Sequence, residues 1–161
     1  MKNFFKLMLL LLLVLPFQAC SDDDGPSVTK LEVTSNNLAG IWKLHSWSGT
    51  AGEQPVVYIE FIRKDKKFRI YQTYNSMLPE LKTGTFEIDS SDYYKGDVLK
   101  GKYDNGMGEW NNAYIVTALY ETTLELKADT KEFSEVQTYV RVSELPAEIL
   151  DNLPQFDEMG K

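Results

Sequence analysis

The two side chains that most often do covalent or metal chemistry occur once each, as Cys20 and His45. A single cysteine forms no internal disulfide, and a single histidine cannot build a histidine-rich metal site. His45 also falls beside Lys43 on the polar side of the alternating run Trp42-Lys43-Leu44-His45, which places it on the surface. Acid–base chemistry on a sugar needs two carboxylates flanking the bond. Glu53, Glu60, Glu87, Asp104 and Glu109 are the candidates, but each stands in a turn or at an outward strand position, where an acidic protein carries solvated charge. The stretch Asp104-Asn105-Gly106-Met107-Gly108-Glu109 sets oxygen ligands near glycines. Its spacing is not that of an EF-hand loop, and Asp-Asn-Gly is a strong turn former. No glycine-rich phosphate loop or dinucleotide fingerprint is present. The chain is therefore read as a non-enzyme with no catalytic residue, no cofactor and no metal.

The most suggestive cluster is aromatic. Tyr93, Tyr94, Tyr103, Trp110 and Tyr114 fall in one third of the chain, interleaved with Asp92, Lys95, Asp97, Asn111 and Asn112. Tyrosine and tryptophan offer apolar faces with polar rims, which suits a small ligand or a sugar. The competing reading is that strand aromatics fill an interior. Trp110, set among glycines, is the hardest of the five to assign to a core.

Those residues must be positioned by strands. From Leu38 to Val142, short alternating or apolar runs are separated by Gly, Asn, Asp and Lys-Asp punctuation. Eight strands are expected, over 40–48, 55–63, 67–74, 81–89, 97–104, 112–120, 122–128 and 136–142. Alternation turns Trp42, Leu44, Val57, Ile59, Phe61, Phe68, Ile70, Phe86, Ile88, Leu99, Tyr103, Leu124 and Leu126 to one face. Short turns make sequence neighbours antiparallel partners. Eight such strands close naturally into an all-β, up-and-down barrel, which removes its costly edges. Beyond Val142, Pro146 and Pro154 bracket a short helix with Ile149, Leu150 and Leu153 on one side. This helix is expected to lie against the outside of the barrel or to cap one end.

The first residues have the grammar of a secretory signal: Lys2 and Lys6, an apolar run from Leu7 to Phe17, then a small residue. The run is shorter than the about 20 residues of a membrane-spanning helix. Leu15-Pro16-Phe17-Gln18-Ala19-Cys20 resembles the lipobox of a bacterial lipoprotein. The resemblance implies cleavage before Cys20, acylation of that cysteine, and no remaining thiolate. Phe17 is a poor residue three before an ordinary secretory cut, whereas Ala19 suits the lipoprotein peptidase. The run Ser21-Asp22-Asp23-Asp24 resembles the acidic signal that sends lipoproteins of the Bacteroides group to the outer face of the outer membrane. The same residues read equally as the start of a solvated linker. Two or more acyl chains anchor stably where one is marginal.

The expected organisation is a signal over 1–19, a lipidated acidic tether over 20–37, a barrel over 38–142, and a short helix with a frayed tail over 143–161. The full sequence carries a net charge of −7. Cleavage removes two lysines and no acid, which leaves about −9. No basic patch invites nucleic acid.

Leu38-Ala39-Gly40-Ile41-Trp42-Lys43-Leu44 resembles the Gly-x-Trp opening of lipocalins and of lipocalin-like Bacteroides lipoproteins. Thr83-Gly84-Thr85-Phe86 and the closing Tyr139-Val140-Arg141-Val142 fit the same pattern. The resemblance covers roughly residues 38 to 142. It implies that Trp42 plugs the closed end of the barrel and that Arg141 stacks across it. The alternative it leaves is an inward Arg141 that binds a ligand carboxylate. The chain lacks the cysteine pair of many secreted lipocalins, and its short loops argue against a wide calyx. The expected function is a monomeric, surface-exposed lipoprotein that binds a small hydrophobic molecule or glycan. The competing expectation is a filled barrel that meets a protein partner through its surface.

Overall fold

The alternating segments form eight strands that close on themselves. They are β1 (Gly40–Trp47), β2 (Val57–Ile62), β3 (Lys67–Gln72), β4 (Glu80–Asp89), β5 (Val98–Tyr103), β6 (Tyr114–Leu119), β7 (Thr123–Ala128) and β8 (Val136–Val142). In this computed structural model, which describes residues 29–48, 53–73, 78–90, 96–130 and 135–153, each strand pairs antiparallel with the next, and β8 returns to pair with β1. A single turn of helix, α1 (Ser35–Leu38), precedes the barrel, and α2 (Ala147–Asp151) follows it. Cys20 and the signal lie outside the described residues.

Period-two burial builds the interior. Trp42, Phe61, Phe68, Phe86, Leu99, Leu119, Leu124 and Leu126 are almost fully withdrawn from water. Phe61 and Phe86 meet edge to face, with centroids 5.1 Å apart, the arrangement that the ring quadrupole favours.

The closed end lies where β1 begins and β8 ends. Residues 29–37, which composition assigns to the tether, lie against the barrel here. The Leu31 N–H donates to the Leu119 carbonyl at 2.8 Å, and Leu31 and Val33 pack on the core. Thr34 caps α1, its hydroxyl accepting from the Asn37 N–H. Two apolar residues among polar neighbours make too short a run to read as structure in the sequence.

The opposite end holds the connections after β1, β3, β5 and β7. Here one seam is thin. β5 meets β6 only through Val98↔Ile115 and Leu99↔Tyr114. The upper half of β5 pairs instead with its own returning loop. The Tyr103 N–H donates to the Gly108 carbonyl and the Trp110 N–H to the Gly101 carbonyl, both at 2.8 Å. Asn105, Gly106 and Gly108 adopt positive φ in this loop, so the Asp-Asn-Gly stretch acts as a turn. The Asp104 carboxylate is taken up by the Thr83 hydroxyl at 2.6 Å.

The C-terminal helix lies against the outside. Ile149 packs with Tyr58 and Tyr71, two outward residues of β2 and β3 that it helps to bury, and Ile41, Leu81 and Val142 flank them. Replacing Ile149 with alanine is expected to cost about 2 kcal/mol in urea-induced unfolding and to leave the interior untouched.

Candidate functional site

A cavity of about 340 Å³ opens at the end opposite α1. Its wall takes residues from every strand: Leu44 and Trp47 of β1, Val57 and Ile59 of β2, Gln72 of β3, Lys82 of β4, Tyr103 of β5, Tyr114 of β6, Leu126 of β7, and Gln137 and Tyr139 of β8. Trp110 and Asn111 complete it from the β5–β6 loop.

Three of the five aromatic residues singled out in the sequence meet here. Phe68 links Tyr103 and Trp110, with centroids 5.7 Å and 5.0 Å away, and Trp110 meets Tyr114 at 5.8 Å. Tyr93 and Tyr94 lie outside the described residues. Trp110 is neither a surface platform nor a loop tip. Its indole lies across Gly101, so close that a Cβ there would sit 2.1 Å from the ring. Its Nε1 is buried with no hydrogen-bond partner among the described residues, and the ring packs against Gly101, Phe68 and Tyr114.

Polar groups are set into this apolar wall. The Tyr139 hydroxyl donates to Gln137 Oε1 at 2.8 Å, and Tyr114 lines the same cavity wall beside Gln137. Burial raises the pKa of Tyr139 far above the ordinary tyrosine value, and neighbouring Tyr114 adds to it. Burial raises Tyr114 and Tyr103 as well, with the Glu135 charge a further cause for Tyr114. These hydroxyls are therefore neutral donors across the physiological range. A folded pKa above the unfolded one means that the native state keeps a proton the unfolded chain has lost. Stability is then fully present below about pH 10 and falls above it, by up to about 1.4 kcal/mol per pH unit for each such tyrosine. Tyr139→Phe is expected to flatten the alkaline decline, measured as the urea midpoint against pH.

Arg141 stands elsewhere, at the closed end. Its guanidinium carbon lies 4.0 Å from the Trp42 ring centroid. Its Nε donates to the Glu121 carbonyl at 2.6 Å, Nη2 to Asn37 at 2.7 Å, and Nη1 to Ala39. Arg141 does not line the cavity, and each of its three nitrogens donates to a backbone carbonyl at the closed end, the structural role of the two the sequence left open. The Trp42 N–H donates to the Leu38 carbonyl at 2.8 Å.

Strict alternation missed Trp47. The β1–β8 register shifts between Leu44 and Ser46, and this bulge turns Trp47 to the face of Trp42 and Leu44. Lys82 was also missed. His45, Glu53, Glu87, Asp104 and Glu109 are exposed. Glu60 accepts from Arg69 and Tyr71, both at 3.3 Å, on the outer face. None of these carboxylates lines the cavity. A second groove, of about 530 Å³, runs outside the barrel between Lys43, Tyr58, Leu78 and α2.

No known family model matches the sequence, and no curated protein matches it either.

Proposed function

We propose that the protein is a lipocalin-like binding module, tethered to the outer membrane through acylated Cys20, that holds one small and largely apolar molecule in the mouth of its barrel. The observation that carries this reading is the cavity walled by Trp47, Tyr103, Trp110 and Tyr114. Its size stands at the lower end of the range for small-molecule sites, about 300–1,000 Å³. Polar groups share the wall about equally with ring and aliphatic surface, and convergent polar groups are what orient a ligand in such sites. The enclosed position of the rings favours a swallowed ligand over a glycan laid across an exposed platform. The single-cysteine leader and the acidic run behind it support the anchor and the cell-surface location.

Native mass spectrometry of the protein purified from its producing cells tests the ligand. A bound species of a few hundred daltons is the expected result, and its disappearance in Trp110→Ala would tie it to the cavity. A wild-type protein that is always empty, and that quenches no apolar probe, would end this reading. Incorporation of labelled palmitate, lost in Cys20→Ser, tests the anchor separately.

A further inference from the structure

We propose that the ligand of this cavity is a flat aromatic anion whose acid group is held by Lys82. The inference rests on the binding role given above and names the chemistry of what is bound.

Charge is the first argument. The sequence holds 24 acidic residues against 17 basic ones, yet no carboxylate lines the cavity. Among the described residues that line it, Lys82 is the single charged side chain. Lys82 is thus the one cation of the wall, and carboxylates bonded to wall residues stand behind it, Glu80 on Gln72 and Glu135 on Trp47.

Position is the second. Lys82 stands opposite Ile70 of β3 and shares its face of β4 with Gly84 and Phe86, which point into the barrel. Its partner is Glu80, at a loose 3.8 Å, whereas the outer pair Lys100–Asp89 closes to 2.6 Å. The same Glu80 oxygen also accepts from Gln72 Nε2 at 3.3 Å, and Glu80 is not part of the cavity wall. A half-exposed pair of this kind contributes little to stability, so an entering carboxylate can displace it. The new partner would gain a charge-assisted hydrogen bond, which is stronger than a neutral one.

Shape is the third. Trp47, Tyr103, Trp110 and Tyr114 present ring surfaces, and Val57, Ile59 and Leu126 add aliphatic ones. The volume suits a two-ring system and leaves no room for a long acyl chain or an oligosaccharide. Asn111, Gln72, Gln137 and the neutral tyrosine hydroxyls supply further donors near the mouth.

The test is isothermal titration calorimetry of the purified full-length protein with naphthoate and with its neutral isostere naphthamide. At neutral pH naphthoate is expected to bind about tenfold more tightly, the value of one charge-assisted hydrogen bond. Lys82→Met should abolish that preference and Lys82→Arg should keep it. Glu80→Gln, which removes the competing carboxylate, should widen it. Equal affinity for the two probes in the wild type would overturn the anion assignment and leave the binding role standing. A preference that survives Lys82→Met would overturn the part given to Lys82. Failure of both probes to bind saturably would count against the cavity as a ligand site, and the anion assignment would fall with it.

Discussion

Replacing Trp42 with alanine is expected to lower the unfolding free energy by about 3–5 kcal/mol, the range for a fully buried aromatic residue. Three contacts put the value at the upper end. The indole is wholly withdrawn from water, its N–H holds the Leu38 carbonyl that ends α1, and its face carries the Arg141 guanidinium. Removing it leaves a void at the base of the barrel and frees the strap formed by residues 29–37. Arg141→Lys separates charge from geometry. A lysine keeps the positive charge at the C-terminal end of α1, where cations are favoured, but it has no planar fork to serve the carbonyls of Asn37, Ala39 and Glu121 together. The expected loss is about 1–2 kcal/mol, from hydrogen bonds given up by the part-buried carbonyls of Asn37 and Ala39. Urea-induced unfolding measures both. A value below about 1 kcal/mol for Trp42→Ala would mean that the closed end is held by something other than this stack.

The closing stack and the cavity thus lie at opposite ends of one tube. The closed end uses polar side chains to satisfy backbone carbonyls, and the open end pairs them with one another around the cavity. That division explains how much of the molecule was readable beforehand. Strands were legible because a barrel wall has one wet and one dry face, so alternation persists through β2, β3, β4 and β7. The closing pair was legible only through resemblance, since nothing in the local pattern around Arg141 says that it reaches residues 37, 39 and 121. Trp47 was illegible for a definite reason: a bulge breaks the period of two, and no residue near His45 announces one. Lys82 was legible in principle. Alternation carried back from Phe86 through Gly84 reaches it, but a lysine at an inward position contradicts the rule that charge faces water. Such a contradiction is where a functional residue is to be sought. Residues 31 and 33 were lost because two apolar side chains are too few to show a period.

The largest effects at the open end are expected at two glycines, and they should differ in kind. At Gly84 a methyl group would stand 2.1 Å from the Lys102 carbonyl oxygen, which is backbone of the paired strand, and 2.7 Å from the Phe68 ring. The β4–β5 ladder cannot yield without losing its own hydrogen bonds, so Gly84→Ala should cost about 3 kcal/mol or more. Trimming Phe68 should not recover it, because the carbonyl remains. At Gly101 the three nearest atoms all belong to the Trp110 indole, the closest at 2.1 Å. Nothing rigid opposes the methyl group there. Gly101→Ala should therefore cost about 1–3 kcal/mol by pushing the indole off the strand, and it should shift tryptophan emission as the ring leaves its dry site. Trp110→Ala is destabilising alone, but once the ring is gone the three atoms nearest the added methyl group are gone with it. The double-mutant cycle for Gly101 and Trp110 should return a coupling of about 1–3 kcal/mol, whereas the cycle for Gly84 and Phe68 should return little. Strictly additive losses for Gly101 and Trp110 would show that the indole does not rest on that glycine. The loop after β5 would then be held at the barrel mouth by its backbone bonds to β5 and by the ring contacts of Trp110 with Phe68 and Tyr114.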